Sequence, residues 1–259
     1  MKLVTLFNEK GGTGKTTLSM MVASCLRYMM GEKVIVLDFD YPSHQLWSTR
    51  QMELDLLKKG MFANPHPPGA GTPFYKLEKI KGKSRYTKEE LQAIVKDIKT
   101  LKESLDGYLI CDFPGHFSAA DASYAIAKAG LIDLLVYPVD SDRQSQTGAL
   151  MVHSVVARPD FLAASGRTHQ EELVLWNRET RSERIGKRDW YEKGNTEFET
   201  LGMPVSQYRI KDLLSMRRDS DTRNFVRSTV MFPLTEVMRQ CPVIIDITME
   251  IKEKLDSIH

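Results

Sequence analysis

Eight consecutive residues, Lys10-Gly11-Gly12-Thr13-Gly14-Lys15-Thr16-Thr17, have the types and spacing of an anion-binding loop. The glycines open backbone conformations closed to other residues, so successive N–H groups can turn inward as a nest for phosphate at a helix N-terminus. Lys15 is placed to meet the β- and γ-phosphates of a nucleotide, and the Thr16 hydroxyl to ligate Mg²⁺. The usual G-x-x-x-x-G-K-[ST] spacing is not met, because Glu9 stands where its first glycine belongs. A second lysine, Lys10, precedes the glycine pair instead. Glu9 adds negative charge near the phosphates, which is unfavourable unless it points away.

Two further sets of carboxylates fit the same chemistry. Asp38-Phe39-Asp40 closes the apolar run Val34-Ile35-Val36-Leu37, and alternation along a strand predicts both carboxylates on one side, facing the crevice where such sheets bind ligands. Tyr108-Leu109-Ile110-Cys111-Asp112 is an apolar strand ending in aspartate, the Walker B pattern, with Asp112 placed for the shell of a Mg²⁺ ion. An aspartate at a strand end is often only a turn former. The phosphate loop upstream favours the functional reading.

The elements that must position these groups follow from periodicity. Residues 2–7 read as a strand. Leu18, Met21, Val22, Cys25, Leu26 and Met29 recur at helical spacing up to Gly31, and residues 33–39 read as the next strand. This is a βαβ unit, which predicts a parallel sheet buried on both faces. Thr87-Lys88-Glu89-Glu90 is a capping box that opens a helix reaching about Leu105. Strands are expected at 107–113, 132–139, 173–177 and 203–210, helices at 119–128, 146–156 and 211–218, and loops or short helices at 178–193. A last helix aligns Ile244, Ile247, Ile251, Leu255 and Ile258 on one face. The fold class is therefore α/β, a doubly wound and mainly parallel sheet flanked by helices. Residues 60–86, with four prolines and four glycines, read as a surface excursion from a single domain spanning 1–259.

The 259 residues suffice for one large domain, with 42% hydrophobic and 27% charged residues close to the globular average. No apolar run approaches the ~18 residues of a membrane span, and the first ten residues hold too short an apolar stretch for a signal peptide. Three cysteines, at 25, 111 and 241, have no metal or redox spacing, and the six histidines form no zinc-binding pair. A reducing, cytoplasmic location is the simplest expectation. The net charge of +2 does not by itself imply nucleic acid, so any basic surface is local.

The octet, the Asp-x-Asp strand end and the Walker B strand resemble those of the ParA/MinD/Soj family of deviant-Walker P-loop ATPases, of the SIMIBI class. Leu134–Val139 with Ser141 to Gly148 resembles the family's apolar strand and its Ser/Gln-rich helix start, and Leu173–Asn177 its adenine-side strand. On general likeness the chain is most similar to ParA-type proteins of conjugative elements. The resemblance implies ATP and Mg²⁺ as cofactors and a homodimer formed in the ATP state. Lys10 would reach the partner's nucleotide, Gly12 would lie where the two loops meet, and Asp40 would orient the attacking water. Asp38 and Asp112 would support Mg²⁺ through water, beside Thr16. Asn177 would contact adenine, its bland alternative being a polar cap at a strand end. The family commonly reads Asp-x-Asp-Pro-Gln where this chain inserts Tyr41 before Pro42.

The resemblance also implies non-specific DNA and a ParB-like or transfer-machine protein as partners. Arg217, Arg218, Arg223 and Arg227 are the candidate DNA contacts, with the basic stretch 76–88 next, and a solvated face is the competing reading. The last helix carries Asp246, Glu250, Glu253 and Asp256 against Lys252 and Lys254, so anionic lipid would repel it and no membrane partner is expected. Three functions stay open: a dimerising ATPase that partitions or positions DNA, a nucleotide-gated scaffold that hydrolyses little, and a small-molecule ligase or kinase on the same fold.

Overall fold

The computed structural model describes residues 1–60, 74–83, 85–186, 188–212, 230 and 242–258. Seven strands form one sheet: β1 (Lys2–Leu6), β2 (Val34–Asp38), β3 (Lys76–Lys79), β4 (Tyr108–Asp112), β5 (Leu134–Val139), β6 (Glu172–Glu179) and β7 (Val205–Lys211). Their order is β3-β2-β4-β1-β5-β6-β7, and every pairing is parallel. Helices α1 (Lys15–Ser24), α2 (Gln45–Lys58), α3 (Lys88–Ser104), α4 (Ala122–Lys128), α5 (Arg143–Val156), α6 (Pro159–Ser165), α7 (Arg181–Gly186), α8 (Arg188–Thr200) and α9 (Val243–Ser257) connect and cover the strands. A short π-helical turn, Cys25–Met29, extends α1.

Both faces of the sheet are buried, as crossover helices require. One core packs Leu18 and Met21 of α1 with Ile244, Ile247, Ile251 and Leu255 of α9 against alternate residues of the strands. The other packs Leu91 and Ile98 of α3, Ile126 of α4 and Val152 of α5 against the opposite residues. The capping box at Thr87 is formed in both directions.

Central placement of β1, between β4 and β5, puts the loop that follows it at the switch point of the sheet. Ligands of open parallel sheets bind there, beyond the carboxyl ends of the strands. The β2–β4 register sets Asp38 directly beside Asp112.

The structure corrects the sequence-based expectation in three places. The stretch 60–86 is not wholly an excursion: Lys76–Lys79 is the edge strand β3, and Tyr75 before it is buried. A strand of four residues with one inward apolar side chain, Leu77, leaves no readable alternation. Helix α2 had no counterpart in the periodicity, because its buried stripe is Leu46, Arg50 and Glu53, two of them charged. Helix α6 is a short segment opened by Pro159. The expected helix at 211–218 falls almost wholly outside the described residues.

Candidate functional site

The loop between β1 and α1 has the backbone of an anion nest. Gly12 and Gly14 sit at φ 79° and 93°, the left-handed region where a Cβ is penalised. Gly14 also has no room for one, since a Cβ there would lie 2.5 Å from Asn177 Nδ2. Gly14 caps α1 and accepts the first helical hydrogen bond from Leu18 N–H at 2.9 Å. Gly11, Gly12, Gly14, Lys15, Thr16, Thr17, Asp40, Gln45, Phe113 and Gly115 line an open cavity of ≈ 340 Å³. Thr13 is buried behind it.

Lys15 is mostly buried, and its Nζ donates to the Lys10 carbonyl at 3.1 Å. Burial pulls its pKa down, while the Asp112 and Asp40 carboxylates pull it up. Asp112 is fully buried, and neither carboxylate oxygen accepts a hydrogen bond. Burial pushes its pKa up to about 8; the nearby Thr16 hydroxyl counters this without reaching hydrogen-bond geometry, Asp38 and Asp40 reinforce it, and Lys15 opposes it. A buried carboxylate with two unused oxygens beside a lysine and a threonine hydroxyl suits the outer shell of a divalent cation. Among the described residues no cluster of three or more His, Cys, Asp or Glu could hold a metal alone, so a Mg²⁺ ion here would take its remaining ligands from phosphate and water.

The two residues of Asp38-x-Asp40 do different things. Strand β2 ends at Asp38, so alternation does not carry Asp40 to the same position. Asp38 accepts from the backbone N–H of Asp40 and of Trp47, each at 3.0 Å, and lies 3.3 Å from His44 Nδ1. It therefore ties the loop after β2 to the start of α2. Asp40 is partly exposed, lines the same cavity as Gly12 and Lys15, and accepts a hydrogen bond from the Ser43 hydroxyl. The inserted Tyr41 packs on Gly82, where a Cβ would lie 2.3 Å from Tyr41 Cβ.

Lys10 pairs with the carboxylate of Asp142, which caps α5 by accepting from Gln144 N–H at 2.9 Å. Asn177 is buried and donates from Nδ2 to the Thr13 carbonyl at 2.7 Å. Arg217, Arg218, Arg223 and Arg227 lie outside the described residues. Cys25 and Cys111 are buried, and burial raises both thiols far above their ordinary pKa, so neither is poised as a ligand or nucleophile.

Sequence reasoning passed over Asn8, Asp142 and Arg178. Asn8 is fully buried; its Nδ2 donates to the carbonyls of Pro138 and Ser145, and its Oδ1 accepts from Lys10 N–H at 2.9 Å. It joins the phosphate loop to β5 and α5. The available signal was a polar amide between an apolar strand and a glycine loop. Arg178 donates from Nη1 to the Gly12 carbonyl at 2.6 Å.

The same fold occurs in solved structures. The chain superposes on the MinC:MinD cell division protein complex of Aquifex aeolicus with a TM-score of 0.65 at 18% identity, over 98% of this chain and 96% of that one. It matches pNOB8 ParA bound to nonspecific DNA (TM-score 0.62, 17% identity, 100% and 99% covered). It also matches a Cyanothece McdA variant in complex with ATP (TM-score 0.63, 17% identity, 99% and 96% covered). The fold is that of the ParA/MinD P-loop ATPases. A family model described as an AAA domain matches residues 1–62, which hold the phosphate loop and the Asp-x-Asp strand end. No curated protein sequence is significantly similar to the chain. No helix among the described residues is long and apolar enough to cross a membrane.

Proposed function

We propose that the protein is a ParA-type ATPase that dimerises with ATP and partitions or positions the DNA of a plasmid, chromosome or conjugative element. The observation that carries the reading is the phosphate nest with Lys15 inside it, Lys10 at its mouth and the unengaged carboxylate of Asp112 behind it. Lys15 binds the β- and γ-phosphates of ATP within the protomer. Lys10 leaves Asp142 and crosses a two-fold axis to the partner's phosphates, with the Gly12 turns of both loops at the seam. Asp40, at the cavity rim, places the attacking water. Thr16, with Asp38 and Asp112 through water, would hold Mg²⁺, which neutralises phosphate charge when bound. Asn177 spends its amide N–H₂ on the loop and offers Oδ1 to the adenine amino group.

DNA enters the proposal because one solved neighbour is described as bound to nonspecific DNA. The chain's candidates are the arginines at 217–227 and the segment 76–88, where Lys79, Lys81, Arg85 and Lys88 are exposed. A ParB-like or transfer-machine protein is the expected protein partner, and the cytoplasm the expected location.

Calorimetry with MgATP and gel retardation with and without ATP test the reading. Wild type is expected to bind MgATP and Lys15→Ala to lose it. DNA retention is expected only with ATP, falling about 10²- to 10³-fold between 50 and 200 mM salt for four to six phosphate contacts. Near-normal nucleotide affinity in Lys15→Ala refutes the site. Nucleotide binding without DNA retention at low salt favours the scaffold.

A further inference from the structure

Asn177 and Arg178 are consecutive residues at the end of β6, and consecutive strand residues point to opposite faces. Both nevertheless donate to the phosphate loop, Asn177 to the Thr13 carbonyl and Arg178 to the Gly12 carbonyl. The backbone explains how. Between Trp176 and Glu179 strand β6 advances three residues, while β7 advances two, from Arg209 to Lys211. The extra residue makes a bulge, and Arg178 within it has φ 64°. Bulges are rare between parallel strands, and beside ligand sites they re-aim a side chain. A residue with a Cβ adopts this left-handed conformation at a cost that other interactions must offset.

The consequence for the loop follows from peptide planarity. In a trans peptide the C=O and the next residue's N–H point in opposite directions. Drawing the Gly12 carbonyl towards Arg178 turns the Thr13 N–H away from β6. Drawing the Thr13 carbonyl towards Asn177 does the same for the Gly14 N–H. Two successive N–H groups on one side are the element of an anion nest, and the positive φ of Gly12 and Gly14 is the backbone it needs.

We propose that Arg178 is a positioning residue for the nucleotide phosphates: with Asn177 it holds the carbonyls of the loop outward, so that the nest is formed before the ligand arrives. The inference rests on the nucleotide reading of the site. Asp140 lies 3.9 Å from Arg178 Nη1 and takes up part of its charge, so what Arg178 adds is orientation more than positive potential. Preorganised donors cost no rearrangement at binding, and their loss appears as weaker affinity.

Arg178→Gly separates this role from a structural one, because glycine is at ease at positive φ but cannot hold the carbonyl. Calorimetry with MgADP, thermal melting and steady-state hydrolysis of MgATP are compared for wild type, Arg178→Gly and Arg178→Lys. Arg178→Gly is expected to melt no lower than wild type yet bind MgADP about tenfold more weakly. Its KM is expected to rise about tenfold, with kcat falling less than threefold. Arg178→Lys keeps a cationic donor and is expected to recover affinity to within about threefold of wild type. Unchanged MgADP affinity in Arg178→Gly overturns the proposal. So does a lowered melting point in Arg178→Gly with no recovery by lysine, which would make Arg178 a residue of the fold. Wild type that binds no MgADP removes the nucleotide reading itself, a result visible before any variant is made.

Discussion

Lys10 gives the dimer reading its hardest test. Its ammonium pairs with Asp142 in the same protomer, and its carbonyl accepts from Lys15 Nζ. To reach a second protomer's phosphates, Lys10 must leave Asp142. That exchange is favourable, because the Asp142 side chain is 49% exposed and an exposed ion pair contributes little. A lysine–phosphate contact in a closed, dry interface contributes about 1.5–3 kcal/mol. Two-fold symmetry doubles this to about 3–6 kcal/mol, or two to four decades in the dimer dissociation constant. Lys10→Ala is therefore expected to bind ATP with modest loss, remain monomeric in ATP at concentrations where wild type is dimeric, and lose hydrolysis. Lys10→Arg restores charge but replaces a point cation with a broad fork, and should recover the dimer only in part. Asp142→Asn keeps the cap on α5, since asparagine caps as well as aspartate, but releases Lys10, so its ATP dimer should be tighter than wild type. Sedimentation velocity over a concentration series, in ATP and in ADP, measures all three. An ATP dimer of Lys10→Ala as tight as wild type would refute the reasoning and leave Lys10 as the ion-pair partner of Asp142 alone.

Asp40→Ala should bind MgATP normally and hydrolyse it about a hundredfold more slowly, since a water-positioning group acts in the transition state; single-turnover rates measure this, and a wild-type rate would move the role elsewhere. Gly82→Ala should lower stability by about 1–3 kcal/mol in urea unfolding, because the added Cβ meets Tyr41 Cβ at 2.3 Å, and the variant Tyr41→Gly with Gly82→Ala should recover most of the loss. His153 lies 2.8 Å from Glu172, and this hydrogen bond raises its pKa. A raised folded pKa means stabilisation present in full below the ordinary histidine value of ~6.5 and lost as pH rises through the folded value. The melting temperature of wild type should therefore fall between pH 6 and pH 8.5 more than that of His153→Gln; parallel profiles would exclude the pair as the source.

What was legible in the sequence depended on whether chemistry and periodicity coincided. The turn between β1 and α1 could be read because its glycines are needed there for positive φ, whatever surrounds them. Strands β1, β2, β4 and β5 could be read because burial on both faces leaves continuous apolar runs. Helix α2 could not, because its inward stripe places Arg50 and Glu53 at core positions. Arg50 donates to the Tyr75 carbonyl at 3.0 Å and stacks 4.5 Å from the Tyr75 ring, so the sequence carries charge where periodicity looks for leucine. Asp38 was placed correctly on its strand, but its carboxylate is occupied by backbone N–H groups only two and nine residues onward, a turn that strand alternation cannot foresee. Asn8 and Arg178 act through backbone carbonyls, and nothing in their residue types announces a carbonyl partner.

The two departures from the usual loop pattern each lie beside a glycine. Glu9 replaces the first glycine of the phosphate motif, and Tyr41 lengthens the loop after Asp40. The Tyr41 side chain lies against Gly82, and the backbone carbonyl of residue 9, which any residue there would supply, lies against Gly115. A Cβ at Gly115 would lie 2.8 Å from the Glu9 carbonyl oxygen, and one at Gly82 would lie 2.3 Å from Tyr41 Cβ. Neither glycine has a positive φ, so the reason for glycine at both is space and not backbone freedom. Gly148 repeats the pattern, with a Cβ 2.5 Å from Asn8 Oδ1. The inserted tyrosine is thereby seated against the segment that leaves β3, whose Ile80 N–H donates to the Asp38 carbonyl at 3.0 Å. Asp40 thus sits between two anchors, the carboxylate of Asp38 on one side and the Tyr41–Gly82 contact on the other. The position of Asp40, the residue proposed to place the attacking water, depends on an edge strand that the glycine-lysine motif alone does not implicate.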